Sequence, residues 1–220
     1  MLVEFPLRVS ELLCSRLCHD LISPTAAVSN GLELLEDESG GIDDGVMSLL
    51  SFSIKQAAGR LMFFRIAYGL GGENADALSI KETSDLVDGM IEEDKIEAIM
   101  PTGEDPLGRV AVKIYLNLAF LALETLPNRG NLVIEVQKSD TIKITATASG
   151  PGTGLRPEVV DALKPGVDVE SLTARTVQGY FTAWLCEAAG GTLNVMETTW
   201  RRYSRRTRRI TPWLADRVLP

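Results

Sequence analysis

Between Ser10 and Glu36, apolar or small residues recur at Cys14, Leu17, Leu21, Pro24, Val28, Gly31 and Leu35, in alternating steps of three and four. That spacing is the seam of a helix packed against other helices. Ser10 followed by Glu11 suits a helix start, and the run from Glu36 to Gly41 reads as a turn. A second seam follows at Met47, Leu50, Ile54, Ala57, Leu61, Phe64 and Tyr68, and Gly69, Gly71 and Gly72 end it. The expected product is an antiparallel helical hairpin. Two helices alone cannot bury such faces, because Val46, Leu49, Phe63 and Leu70 lie off the second seam. The simplest remedy is a second copy, which gives a four-helix bundle and a two-fold homodimer. Packing of the hairpin on the remainder of its own chain is the other way to cover it.

After Gly72 the pattern changes. Residues 84–93 and 110–126 read as helices, and 131–136 and 141–145 alternate as strands with turn residues between them. Residues 174–189 read as a helix that stops at Gly190 and Gly191, and 192–195 as a strand. The whole is an α+β chain in which a mostly antiparallel sheet carries helices on one face. A boundary near 70–78 divides it into a hairpin over 1–74, a second domain over 75–200 and a tail over 201–220.

Charge narrows the function. The net charge is −8, but residues 201–220 hold seven of the 22 basic side chains and one of the 30 acidic ones. The first 200 residues therefore carry 15 basic and 29 acidic groups, a net −14. So acidic a body repels phosphate backbones, and no nucleic-acid partner is expected. The Arg-rich tail from Arg201 to Arg209 has the charge to meet an anionic partner, but it reads first as a solvated, poorly ordered terminus. No apolar run approaches the ~20 residues that span a bilayer, so no membrane association is expected. The N-terminal residues lack the basic start of a secretory signal. Three cysteines cannot all pair with one another, which points to a cytoplasmic protein with free thiols.

The one histidine of the chain, His19, lies on the first helix two positions past Leu17, so it points away from the seam. Ser15, His19 and Ser23 are four apart and stack on one face, which Ala26 and Asn30 continue. These neighbours are short, so a partner can bring a reactive group to the imidazole. Ile22 beside them is an exposed apolar contact of the kind docking surfaces use. Pro24 removes the hydrogen bond to the Asp20 carbonyl and kinks the helix, at a cost of about 3 kcal/mol. A cost of that size one turn beyond the histidine points to function. A neutral imidazole is a competent nucleophile, and Asp20 is placed to hold its other nitrogen. His19 is thus a candidate phosphoryl carrier. A Ser-His-Asp hydrolase is disfavoured, since adjacent helical residues diverge and no nucleophile elbow is present. Cys14, Cys18 and His19 make only a partial metal site: both cysteines are expected on or near the apolar face, and a fourth ligand is missing. A surface histidine of no consequence is the plain alternative.

His19-Asp20-Leu21-Ile22-Ser23-Pro24, continued by Val28, Glu33 and Leu35, resembles the H-box of histidine kinase dimerisation domains. The second domain resembles the ATP-binding domain of those kinases. Asn117 lies where they carry an asparagine motif, and Ser149-Gly150-Pro151-Gly152 is similar to their Asp-x-Gly-x-Gly loop. Three departures matter. The magnesium-holding asparagine of the family is Leu121 here, and the adenine-reading aspartate is Ala148. The glycine loop that would wrap the phosphates is replaced by residues 174–178. An acceptor box kept beside a degenerate ATP site resembles the ChpT-type histidine phosphotransferases.

That resemblance implies a mechanism and partners. A phosphoaspartate on the receiver domain of a hybrid kinase docks at Ser15, Ile22, Ser23 and Ala26. His19 takes its phosphoryl group and hands it to a response-regulator receiver. The receiver supplies the magnesium, so no resident cofactor is implied, and the second domain acts as a docking wall. It also implies a setting in bacterial cell-cycle signalling, and a final strand where the Arg-rich tail stands. The competing functions are an ATP-dependent kinase with a divergent pocket, a receiver-binding adaptor without chemistry, and a phosphatase in which Ser23 positions water.

Overall fold

The computed structural model of the chain describes residues 5–37, 44–69, 77–91, 95–127, 129–199 and 206–213. The hairpin forms as read: α1 spans Leu7–Asp37 and α2 spans Asp44–Ala67, packed along each other. Helix α1 starts three residues before Ser10, because Pro6 stands just before it and its carbonyl accepts from Val9 N at 3.0 Å. The first seam faces α2, with Pro24 and Gly31 buried and Leu17, Leu21, Val28 and Leu35 half-buried. The second seam is corrected. Leu50, Ser53, Phe63, Phe64 and Ala67 are the buried residues of α2, whereas Met47, Ile54 and Leu61 are exposed. Helix α2 is apolar on several sides, so the period alone does not choose which stripe turns inward.

The root of the hairpin packs on the second domain of its own chain. Val9 and Leu13 of α1 and Phe63, Phe64 and Ala67 of α2 join one core with that domain. Arg8 fastens the same end, donating to the carbonyls of Val169, Glu170 and Leu172 at 3.2 Å each, around a short 3-10 turn over Val169–Ser171. Residues 38–43 and 70–76, which include the expected turn and most of the expected boundary, lie outside the described residues.

The second domain is layered. A two-stranded ribbon pairs β1 (Ala77–Ser79) with β3 (Pro106–Gly108). Helix α3 covers Ile80–Asp88, earlier than the expected 84–93, because Ser79 and Glu82 form a reciprocal capping box at its start. The main sheet runs in the order β2-β4-β5-β7-β6. Strands β4 (Gly130–Lys138) and β5 (Ile142–Gly150) form the expected hairpin, and β2 (Ile96–Ile99) adds in parallel to β4. Helix α4 (Arg109–Glu124) has buried residues on every side from Ala111 to Ala122, the pattern of a helix covered all round. Two more helices follow: α5 (Pro157–Ala162) and α6 (Val177–Ala188), the latter shorter than the expected 174–189.

The tail is corrected as well. Residues Arg206–Trp213 form β7, which enters the sheet between β5 and β6 (Thr192–Thr199) and pairs antiparallel with both. The final strand implied by the family resemblance is therefore present in a segment that reads as a solvated terminus. Residues 200–205 and 214–220 lie outside the described residues. No helix among the described residues is long and apolar enough to cross a membrane.

Candidate functional site

The exposed face of α1 is where the 3.6 period places it. The His19 side chain is 86 % exposed. Ser15, Ile22, Ser23 and Ala26 are exposed along the same helix. Cys14 and Cys18 are exposed too, contrary to their expected place near the apolar face. His19 Nδ1 lies 3.2 Å from Asp20 Oδ1, so one ring nitrogen is held and Nε2 is left for chemistry. A cavity of about 460 Å³ opens beside the imidazole, between α1 and the second domain. Ser15, His19 and Asp20 line one wall, and Glu124, Arg156 and Arg175 line the other. Of the expected docking residues, Ser15 meets His19 at this cavity, while Ile22, Ser23 and Ala26 extend the helix face beyond it.

Two further arginines, which the sequence reading passed over, surround Asp20. Arg16, one turn before His19, is buried and forms an ion pair with Glu124 at the end of α4. Its Nη1 donates to the Ala174 carbonyl at 3.3 Å, and its guanidinium lies over the Phe120 ring, 4.9 Å from the centroid. Its Nε lies 3.7 Å from Asp20 Oδ2, an ion-pair distance. Burial works against the Arg16 charge, but Glu124 outweighs it, so the guanidinium pKa is raised and the group stays charged. Arg60 of α2 donates from Nη1 to the Asp20 carbonyl at 2.6 Å. This is the carbonyl that Pro24 deprives of its helical donor. The next carbonyl, of Leu21, accepts from the Thr25 hydroxyl at 2.8 Å. The signal for Arg16 was in the sequence: a lone cation between Leu13 and Leu17, on the side of the helix that otherwise packs.

The degenerate positions form a different environment. Asn117 is fully buried, and its side chain is spent on protein groups. Its Nδ2 donates to the Lys113 carbonyl at 2.8 Å and to the Ala67 carbonyl at 3.2 Å. Its Oδ1 accepts from Gln178 Nε2 at 2.8 Å, and Gln178 Oε1 accepts from the Tyr68 hydroxyl at 2.6 Å. Burial raises the Tyr68 pKa, which keeps this hydroxyl a donor. The chain of bonds ties the end of α2 to α4 and α6. Leu121 and Ala148 are core residues. A side chain at Gly150 would meet the Arg129 carbonyl oxygen at 2.7 Å, and Gly152 has φ +76°, so both glycines serve the turn after β5.

Known proteins resemble this chain over most of its length. Residues 80–199 match the sequence family described as the histidine phosphotransferase C-terminal domain. The protein phosphotransferase ChpT of Brucella abortus (strain 2308) is 32 % identical over 193 residues, 87 % of this chain and 91 % of that protein. The solved structure of a bacterial phosphotransferase superposes with a TM-score of 0.76 at 28 % identity, covering 95 % of this chain and 98 % of the other.

Proposed function

This chain belongs to the histidine phosphotransferase family, and from that premise we propose that His19 is its phosphoryl carrier. The observation that supports this assignment is the exposed imidazole, its Nδ1 3.2 Å from Asp20, on one wall of a cavity with two arginines on its far wall. A receiver domain presents its phosphoaspartate there, over Ser15, Ile22, Ser23 and Ala26. The His19 Nε2 lone pair forms a bond to phosphorus as the P–O bond to the aspartyl group breaks, and the carboxylate leaves with the electron pair. The ring becomes cationic with its proton still on Nδ1, and the Asp20 carboxylate stabilises that charge. Running the same step backward onto a second receiver completes the relay. Positioning supplies most of the rate, and the receivers bring the magnesium.

The chain works without a nucleotide in this reading. The residues at the degenerate positions do not fit a magnesium–nucleotide pair: the Asn117 side-chain oxygen is buried and bonded to Gln178, and Leu121 and Ala148 are apolar and buried. A two-fold homodimer is the companion proposal. Met47, Ile54, Leu61 and Met62 on α2, with Leu32 on α1, remain exposed away from the second domain, and a second hairpin covers such a face.

The test is transfer of label from a phosphorylated receiver to this chain, wild type and His19→Ala, with no ATP present. Acid-labile, base-stable label on the wild type alone is the expected result. A receiver that binds both proteins, stays phosphorylated and labels neither refutes the assignment and leaves a non-catalytic adaptor.

A further inference from the structure

The acceptor site contains a contradiction that packing does not explain. Asp20 is called on to hold the proton of a highly exposed imidazole, yet a pair with one partner open to solvent is weak on its own. Close by, Arg16 is buried between α1 and the second domain, and a buried charge is costly unless it is paired. The two oddities meet. Glu124 of the second domain grips the Arg16 fork, and the Arg16 Nε, buried and with no hydrogen bond of its own, faces the Asp20 carboxylate. The Arg16–Glu124 bridge also borders open space on two sides. It stands between the cavity beside His19 and a second one of about 300 Å³ lined by Arg60 and Phe120, and both cavities are lined by Arg16, Asp20 and Glu124.

We propose that Arg16 and Glu124 are positioning residues for the acceptor: the second domain, through this bridge, fixes the Asp20 carboxylate so that His19 carries its proton on Nδ1 and presents a bare Nε2. The inference rests on His19 being the phosphoryl carrier, and it gives the second domain a duty beyond that of a docking wall. A free imidazole favours the proton on Nε2, the wrong nitrogen for attack, so a carboxylate that wanders lets the nucleophile be blocked part of the time. Glu124 sets Arg16, Arg16 sets one oxygen of Asp20, and the other oxygen sets the ring. Arg60 holds the backbone of the same residue.

The chain has one histidine, so a long-range nitrogen–proton spectrum of uniformly labelled protein shows one imidazole. The expected wild-type spectrum has the proton on Nδ1. Glu124→Gln and Arg16→Lys shift it toward Nε2, as Asp20→Asn does directly. In single-turnover transfer from a phosphorylated receiver, both variants lower the maximal rate on the order of tenfold to a hundredfold. The receiver concentration at half-maximal rate stays within about twofold. A wild-type ring protonated on Nε2 overturns the proposal without any variant. So does a folded Glu124→Gln or Arg16→Lys protein that keeps the Nδ1 proton, or one that loses only affinity for the receiver. Failure of the wild type to take label sinks the carrier assignment instead, and the spectrum still reports on the bridge.

Discussion

Pro24 and Arg60 are expected to be energetically coupled through a single carbonyl. Pro24 has no N–H, so the Asp20 carbonyl has no helical donor, and Arg60 Nη1 supplies one at 2.6 Å. A hydrogen bond from a charged donor contributes about 1.5–3 kcal/mol, and a buried carbonyl left bare costs roughly 1–3 kcal/mol. Arg60→Met keeps the aliphatic stem and removes the donor, so it is expected to cost about 2 kcal/mol. In a Pro24→Ala background the amide of residue 24 returns, and the same Arg60→Met change is expected to cost less than ~1 kcal/mol. The coupling is then about 1–2 kcal/mol, against a scatter of roughly 0.5 kcal/mol for independent sites. Urea unfolding of the four proteins measures it, at one protein concentration so that any self-association is held constant. Additivity within about 0.5 kcal/mol, at unchanged m values, would refute the reading that Arg60 stands in for the missing amide.

Two further outcomes follow from the core and from the close approach of α2 to α3. Burial pushes the Cys186 thiol and the Tyr115 phenol up to about 12 each. An acid whose folded pKa is raised stabilises fully below its unfolded pKa, and that contribution is lost as pH rises toward the folded value. At about 1.4 kcal/mol per pH unit and an unfolded thiol near ~8.5, Cys186 accounts for a loss of about 2 kcal/mol between pH 8 and pH 10, before Tyr115 contributes. Cys186→Ala is expected to shrink the alkaline drop by that amount in denaturant titrations; an equal drop in both proteins contradicts it. Gly59→Ala places a methyl group against the rigid Gly89 carbonyl, whereas Gly31→Ala meets the movable end of Leu50. Thermal unfolding should show the first losing about 1–3 kcal/mol and the second close to neutral, and equal effects would count against the rigid contact.

The parts legible in the sequence were those decided by near neighbours. The two helices follow from a three-and-four period within one segment, and the β4–β5 hairpin follows from two alternating runs joined by a short turn. His19, Ser15, Ser23 and Ala26 fall on one exposed face because a helix fixes that by geometry alone. The parts that escaped depend on partners far along the chain. Strand β2 is four residues long and exists through parallel pairing with β4, across the whole of α4. Strand β7 reads as a basic tail until β5 and β6 stand on either side of it. The capping box at Ser79 and Glu82 was legible and marks the true start of α3. Arg16 stands on the packing side of α1, which the sequence does show, but the roles of Arg16 and Arg60 come only from their distant partners, Glu124 and the Asp20 carbonyl.

Helix α1 departs from a plain packing helix at two points, and these flank the acceptor: Arg16 lies three residues before His19 and Pro24 five after it. Neither departure helps the hairpin fold. An apolar side chain at 16 would avoid burying a charge, and any other residue at 24 would restore a helical hydrogen bond. Each creates one polar demand, and each demand is met from a different element, by Glu124 of α4 and by Arg60 of α2. The consequence is that the turn bearing His19 is open to a partner yet held from two sides, by α4 and by α2. Exposure alone would leave the imidazole and its carboxylate free to sample many geometries, and transfer would then bear the entropy of ordering them at each encounter. Ordering them beforehand moves that cost into folding, which is where a buried arginine and an interrupted helix place it.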